Sequence, residues 1–181
     1  MNFYDLYGLN FSFDYFWTTK FDKMNKIVKI AIALVICLTV GYSASTVTRP
    51  SIETWYVMLE KPVFNPPNWI FMPVWTVLYI FMAIAAALVW DKIKENTEEI
   101  KKALLFFIIQ LILNSIWSYL FFGLKNPMLA LIEIILLWLM IYETYLKFVK
   151  INKISGYLLI PYLAWVAFAM VLNASIWWLN K

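Results

Sequence analysis

The chain has 181 residues, 64% of them hydrophobic and only 14% charged, with a formal net charge of +4. Soluble domains carry about half apolar and about a quarter charged residues, so this composition excludes an ordinary soluble fold and predicts an all-α integral membrane protein. Histidine is absent and Cys37 is the lone cysteine. The commonest metal ligand, the commonest proton-transfer base and any internal disulfide are thereby removed, and conventional hydrolysis or phosphoryl transfer is not expected.

Residues 1–26 form an aromatic-rich extension that includes Phe3, Tyr4, Tyr7, Phe11 and Trp17. It lacks the basic start and apolar run of a secretory leader. Two readings stand: a segment lying at the membrane interface, or sequence ahead of a natural start at Met24, the second being preferred. Beyond it, no Asp, Glu, Lys or Arg occurs in 30–48, 62–90, 103–124 or 154–180, and 126–146 is broken only by Glu133 and Glu143. A helix crossing hydrocarbon needs roughly 20 apolar residues, and each stretch can supply them. The period-two alternation of a barrel is missing. The pattern predicts a five-transmembrane-helix bundle over 27–181, with helices at about 28–48, 68–91, 103–124, 127–147 and 155–178.

The connection between the first two spans is predicted to be structured. It reads RPSIETWYVMLEKPVFNPP over 49–67. Pro50 is expected to end the first span, with Ser51 capping a short helix through Thr54. Pro62, Pro66 and Pro67 then favour a stiff, extended return, and Asn68 is expected to cap the second span, with Pro73 in its early turns. Such a loop keeps its shape without a hydrogen-bond ladder and suits a lid.

Lysines set the expected orientation. Five spans place eleven Lys residues beside the N-terminus and the 91–102 and 147–153 loops, against Arg49, Lys61, Lys125 and Lys181 on the other side. The positive-inside rule then predicts a cytoplasmic N-terminus and an external C-terminus, in the cell membrane. The positive charge is read as topology, not as a nucleic-acid surface.

Polar and aromatic residues inside the spans mark a candidate site. Gln110, Asn114 and Trp117 fall at helical steps of four and three; so do Trp75, Tyr79, Met82 and Ala86, and Tyr162, Trp165, Ala169 and Asn173. Amides in hydrocarbon need partners, so Gln110, Asn114 and Asn173 should face the interior. The topology brings Trp75, Asn114, Trp117 and Asn173 to one level below the loop. For any one of these residues, interfacial anchoring or helix-to-helix hydrogen bonding is at least as good an explanation. Trp69, Trp90, Trp177 and Trp178 are read as interfacial belt. Glu133 is a functional candidate by its depth, or a group that snorkels.

The segments WYVMLEKPVFNPPNWIFMPVWTVLY, LNSIWSYLFFGLKNPMLALIE and PYLAWVAFAMVLN closely resemble, in order, the signatures of the TspO/translocator protein (peripheral-type benzodiazepine receptor) family. The resemblance covers about 41–180 and implies a five-helix bundle, a homodimer, and a pocket under the first loop for protoporphyrin IX, haem and isoquinoline or benzodiazepine-type molecules. It implies ligand-binding roles for Trp75, Tyr79, Asn114, Trp117, Tyr162, Trp165, Ala169, Asn173 and Phe64. Trp75 and Trp165 match positions implicated in light-dependent porphyrin degradation, the alternative enzymatic reading; tetrapyrrole transport is a third. No resident cofactor or metal is implied, porphyrin or haem being ligand. Where relatives carry a Tyr before a basic residue for cholesterol, this chain has VLNASIWWLNK, which argues against sterol binding and transport. With no histidine for axial ligation, metal-free porphyrin is expected to bind at least as well as haem.

Overall fold

The computed structural model describes residues 24–181. The aromatic-rich extension, apart from its last residues, lies outside the described residues. The described elements are α1 (Lys26–Thr54), a 3-10 turn (Tyr56–Met58), α2 (Asn68–Trp90), α3 (Thr97–Ser118) running into a π turn (Tyr119–Gly123), α4 (Pro127–Ile151), α5 (Lys153–Tyr157) and α6 (Ile160–Leu179). Five stretches are long and apolar enough to cross a membrane: α1, α2, α3 with its π turn, α4, and α5 with α6. The protein is therefore a five-helix membrane bundle. Its closest neighbours are α1 with α2, α3 with α4, α4 with α6, α4 with α5 and α1 with α3.

α1 runs past its predicted end at 48 to Thr54, α3 starts at Thr97 ahead of the predicted 103 and α4 continues to Ile151 past 147, whereas α2 and the start of α4 fall where predicted. Asn96 Oδ1 accepts from the Glu99 amide (3.3 Å) and Asn126 Oδ1 from the Leu129 amide (3.0 Å), starting α3 and α4. Asn152 Oδ1 accepts from the Ser155 amide (3.2 Å) and starts α5, so the fifth span is two helices rather than one.

Two local expectations are corrected. Pro50 does not end α1, which continues to Thr54. Pro50 cannot donate to the preceding turn, but neighbouring segments can satisfy what a proline frees in a membrane helix. Ser51, expected as a cap, instead donates its hydroxyl to the Phe122 carbonyl in the π turn (2.7 Å), and Thr54 donates to the Pro50 carbonyl (2.8 Å). Likewise Asn68 is the first residue of α2, not its cap; Pro67 holds that place with no side-chain cap bond.

Small residues let α1 and α2 approach at the end away from the first loop. Ala83, Ala85 and Ala87 are fully buried there, near Ala33 and Cys37. At that end Lys29 Nζ donates to Asp91 Oδ1 (2.9 Å). Lys29 is almost completely buried, whereas Asp91 is about one-third exposed, its side chain at 35%. This asymmetry sets an expected result. Asp91→Asn strands a buried ammonium and should cost about 2 kcal/mol, while Lys29→Met leaves a carboxylate that water reaches and should cost less than about 1 kcal/mol. Thermal unfolding in detergent of the two variants tests the order; equal losses would refute it.

The first loop is fastened to the end of α6 and tied within itself. The Glu60 amide donates to Asn180 Oδ1 (3.0 Å) and Asn180 Nδ2 donates to the Glu60 carbonyl (2.9 Å), a reciprocal clasp onto the end of α6. Inside the loop the Tyr56 hydroxyl donates to Asn65 Oδ1 (2.7 Å). Burial pushes the Tyr56 hydroxyl up to about 12, with the Asn65 bond opposing, so it stays a neutral donor at ordinary pH.

Candidate functional site

Below this loop, Asn114 of α3 links Tyr79 of α2 to Tyr162 of α6. The Tyr79 hydroxyl donates to Asn114 Oδ1 (2.5 Å), and Asn114 Nδ2 donates to the Tyr162 hydroxyl (2.9 Å). All three side chains are buried, where such bonds replace water that hydrocarbon cannot supply. Nearer the loop, Trp117 Nε1 donates to Asn173 Oδ1 (3.1 Å) and Asn173 Nδ2 donates to the Pro127 carbonyl (2.7 Å). That second link joins α3, α6 and the start of α4.

The two links border a cavity of about 400 Å³, a size typical of sites for small molecules. Tyr79 and Asn114 lie at its deep end; Ile52 and Tyr56 border it at the loop end. Rings dominate the wall. Trp75 lies 5.8 Å from Tyr79 at 33° and meets Tyr162 edge-on at 6.2 Å. Trp117 stacks on Phe121 (5.3 Å, 25°), and Phe71 meets Trp165 edge-on (6.0 Å).

The cavity opens sideways. Leu38, Tyr42 and Arg49 of α1, and Asn68, Met72 and Thr76 of α2, both line it and are exposed. The mouth therefore lies between α1 and α2, which close together only farther down, over the small residues. Gly41 stands where α1 crosses Tyr79: a Cβ there would sit 2.5 Å from Tyr79 Cε2 and 2.8 Å from Cδ2. Only hydrogen fits.

Seven of the nine predicted residues line this cavity: Trp75, Tyr79, Asn114, Trp117, Trp165, Ala169 and Asn173. Tyr162 stands behind Asn114, fully buried, and supports the wall without forming it. Phe64 lies on the loop, half-exposed, with its ring edge against Phe168 (6.3 Å). Gln110 is deeper still, its amide near Met82 Sδ (3.9 Å) and its Oε1 without a partner. Glu133 does not snorkel; it is buried away from the cavity wall, with neither carboxylate oxygen hydrogen-bonded.

The contribution of α1 escaped sequence reasoning. Gly41, Ala44, Ser45, Thr48 and Ile52 recur at helical spacing along the cavity, a small-and-polar stripe that was available as a signal. Phe121 and Phe122 were also missed, because a π turn presents them and no sequence pattern announced it. Trp165 has a further property: its Nε1 is buried without a partner, and the ring also borders a lipid-facing groove between Pro73, Val77 and Phe81 of α2 and Pro161, Ala164 and Phe168 of α6. Among the described residues no group of three or more Cys, Asp or Glu could hold a metal ion. The site's chemistry is stacking, apolar burial and a few hydrogen bonds.

Five apolar helices enclosing an aromatic cavity beneath a clasped loop define the class: an integral membrane protein with an internal small-molecule-sized site. The family model described as TspO/MBR family matches residues 31–179. The chain is 43% identical over 162 residues to the tryptophan-rich protein TspO of Chlorobaculum tepidum, covering 87% of this chain and 99% of that protein. It is 35% identical over 150 residues to the tryptophan-rich sensory protein of Cereibacter sphaeroides (83% and 92% covered), and 36% identical over 123 residues to the human translocator protein (68% and 73% covered). The chain belongs to the TspO/MBR family.

Proposed function

We propose that the protein is a membrane receptor or sensor that holds tetrapyrroles, and isoquinoline or benzodiazepine-type molecules, in the cavity bounded by α1, α2, α3 and α6. The observation that carries this reading is the wall itself, with Trp75, Trp117 and Trp165 from three different helices on one hollow. A flat macrocycle against these indoles buries apolar area worth roughly 25 cal/mol per Å² and gains ring stacking in addition. A relative named as a sensory protein supports the sensor reading. The reading includes a homodimer in the cell membrane, with the first loop on the external side.

The amides have a double part in it. Asn114 and Asn173 are committed to protein partners, yet each carboxamide keeps one N–H and one lone pair for a guest.

Fluorescence-quenching titration of the detergent-purified chain with protoporphyrin IX tests the proposal. Trp75→Ala should weaken binding about tenfold, or about 1.4 kcal/mol. Haem should bind no better than the metal-free ring, because the chain has no histidine for its iron. A saturable titration unmoved by Trp75→Ala, or a haem spectrum with histidine-like axial ligation, would overturn the assignment.

A further inference from the structure

We infer that the cavity selects guests carrying an acidic group on a flat apolar body, and that Arg49 at the mouth receives that group. The inference rests on the ligand reading above and specifies the ligand chemistry.

Arg49 is the only arginine of the chain and, among the described residues, the only ionised side chain on the cavity wall. It continues the α1 stripe of Gly41, Ser45, Thr48 and Ile52, which fixes it at the loop end of the mouth. Its donors are unspent. Ion pairs among the described residues include Lys29–Asp91, Lys92–Glu95, Lys101–Glu98 and Lys147–Glu143, and none of these includes Arg49. Glu53, one turn along α1, is the ready local partner at a four-residue spacing, yet no carboxylate lies within 4.0 Å of the guanidinium among those pairs.

Three hydroxyls at the mouth are already committed. The hydroxyls of Ser45, Thr48 and Thr76 donate to backbone carbonyls of their own helices. A guanidinium has five donors and no acceptor, and its fork matches a carboxylate with two parallel bonds. The wall is thus apolar and aromatic at depth and cationic at its edge. A guest whose ring lies on Trp75 and Trp117 and whose acid points to the loop satisfies both ends. A cationic guest meets uncompensated repulsion at the mouth.

Two probes separate the terms: protoporphyrin IX, which carries two carboxylates, and its dimethyl ester, which keeps the ring and loses the charge. Each is titrated by fluorescence quenching into detergent-solubilised wild type, Arg49→Gln and Arg49→Lys. Wild type should prefer the acid about tenfold. Arg49→Gln should bring the acid to the ester's affinity, and Arg49→Lys should retain part of the preference, since a point charge attracts but cannot fork. Three results would overturn the inference: wild type binding both probes alike, the preference surviving Arg49→Gln, or Arg49→Gln weakening acid and ester equally. The first is also the result if the guanidinium serves a lipid phosphate instead of a guest. Failure of wild type to bind either probe sinks the tetrapyrrole reading itself, and this inference with it.

Discussion

Gly41→Ala should destabilise the protein, although helix propensity alone favours the alanine by up to about 1 kcal/mol. The added methyl would meet the Tyr79 ring at 2.5 and 2.8 Å. That ring cannot simply swing away, because Asn114 holds its hydroxyl and the Trp75 ring lies against it, tilted, at 5.8 Å. Either α1 moves outward or the Tyr79–Asn114 bond breaks; overpacking of this kind costs about 1–3 kcal/mol. Thermal unfolding in detergent should show a lower midpoint for Gly41→Ala. In a Tyr79→Ala background the same change should cost little, because the obstructing ring is gone. If Gly41→Ala stabilises the wild-type background, the contact between α1 and Tyr79 is not the constraint described.

The second large effect belongs to Asn114→Leu. Leucine keeps asparagine's branched four-atom outline, with bulkier methyl ends, so the main loss is polar. Tyr79 loses its acceptor and the Tyr162 hydroxyl loses a donor, both in a buried setting. A buried group left unpaired costs about 1–3 kcal/mol, whereas hydrogen bonds between membrane helices average only about 0.6 kcal/mol. Two bonds fail together here, and the stranded groups have no lipid partner, so the loss should be about 2 kcal/mol. Tyr79→Phe removes one bond and its donor together and should cost less. The comparison is made by unfolding midpoints, and a Tyr79→Phe loss equal to that of Asn114→Leu would contradict the shared role of the amide.

Much of this arrangement was legible before any coordinates. Charge-free runs mark hydrocarbon crossings because an ionised group is costly there, and they located all five spans. The spacing of Trp75 with Tyr79, of Asn114 with Trp117, and of Trp165 with Ala169 and Asn173 placed each set on one helical face, and those faces do meet. The helix ends were less legible, because caps such as Asn96 and Asn152 lie outside the apolar windows. Pro50 misled for a specific reason. The rule that proline stops a helix weighs only the helix's own bonds, and here the turn beyond Pro50 is anchored from outside, the Ser51 hydroxyl donating to the Phe122 carbonyl across the bundle. That partner is supplied by a π turn, which no local pattern betrays. Gly41 by itself reads as ordinary membrane-helix composition; only the approach of Tyr79 shows why hydrogen is needed there.

The position of the mouth has a kinetic corollary. On the proposed ligand reading, with the loop latched to Asn180 and the gap on the flank between Tyr42 and Met72, a guest's shortest path inward would start among acyl chains and not in water. A guest must first dissolve in the bilayer and then diffuse in two dimensions to the gap. Occupancy then follows the guest's mole fraction in lipid, and an apparent affinity expressed per litre of buffer rises or falls with the amount of membrane present.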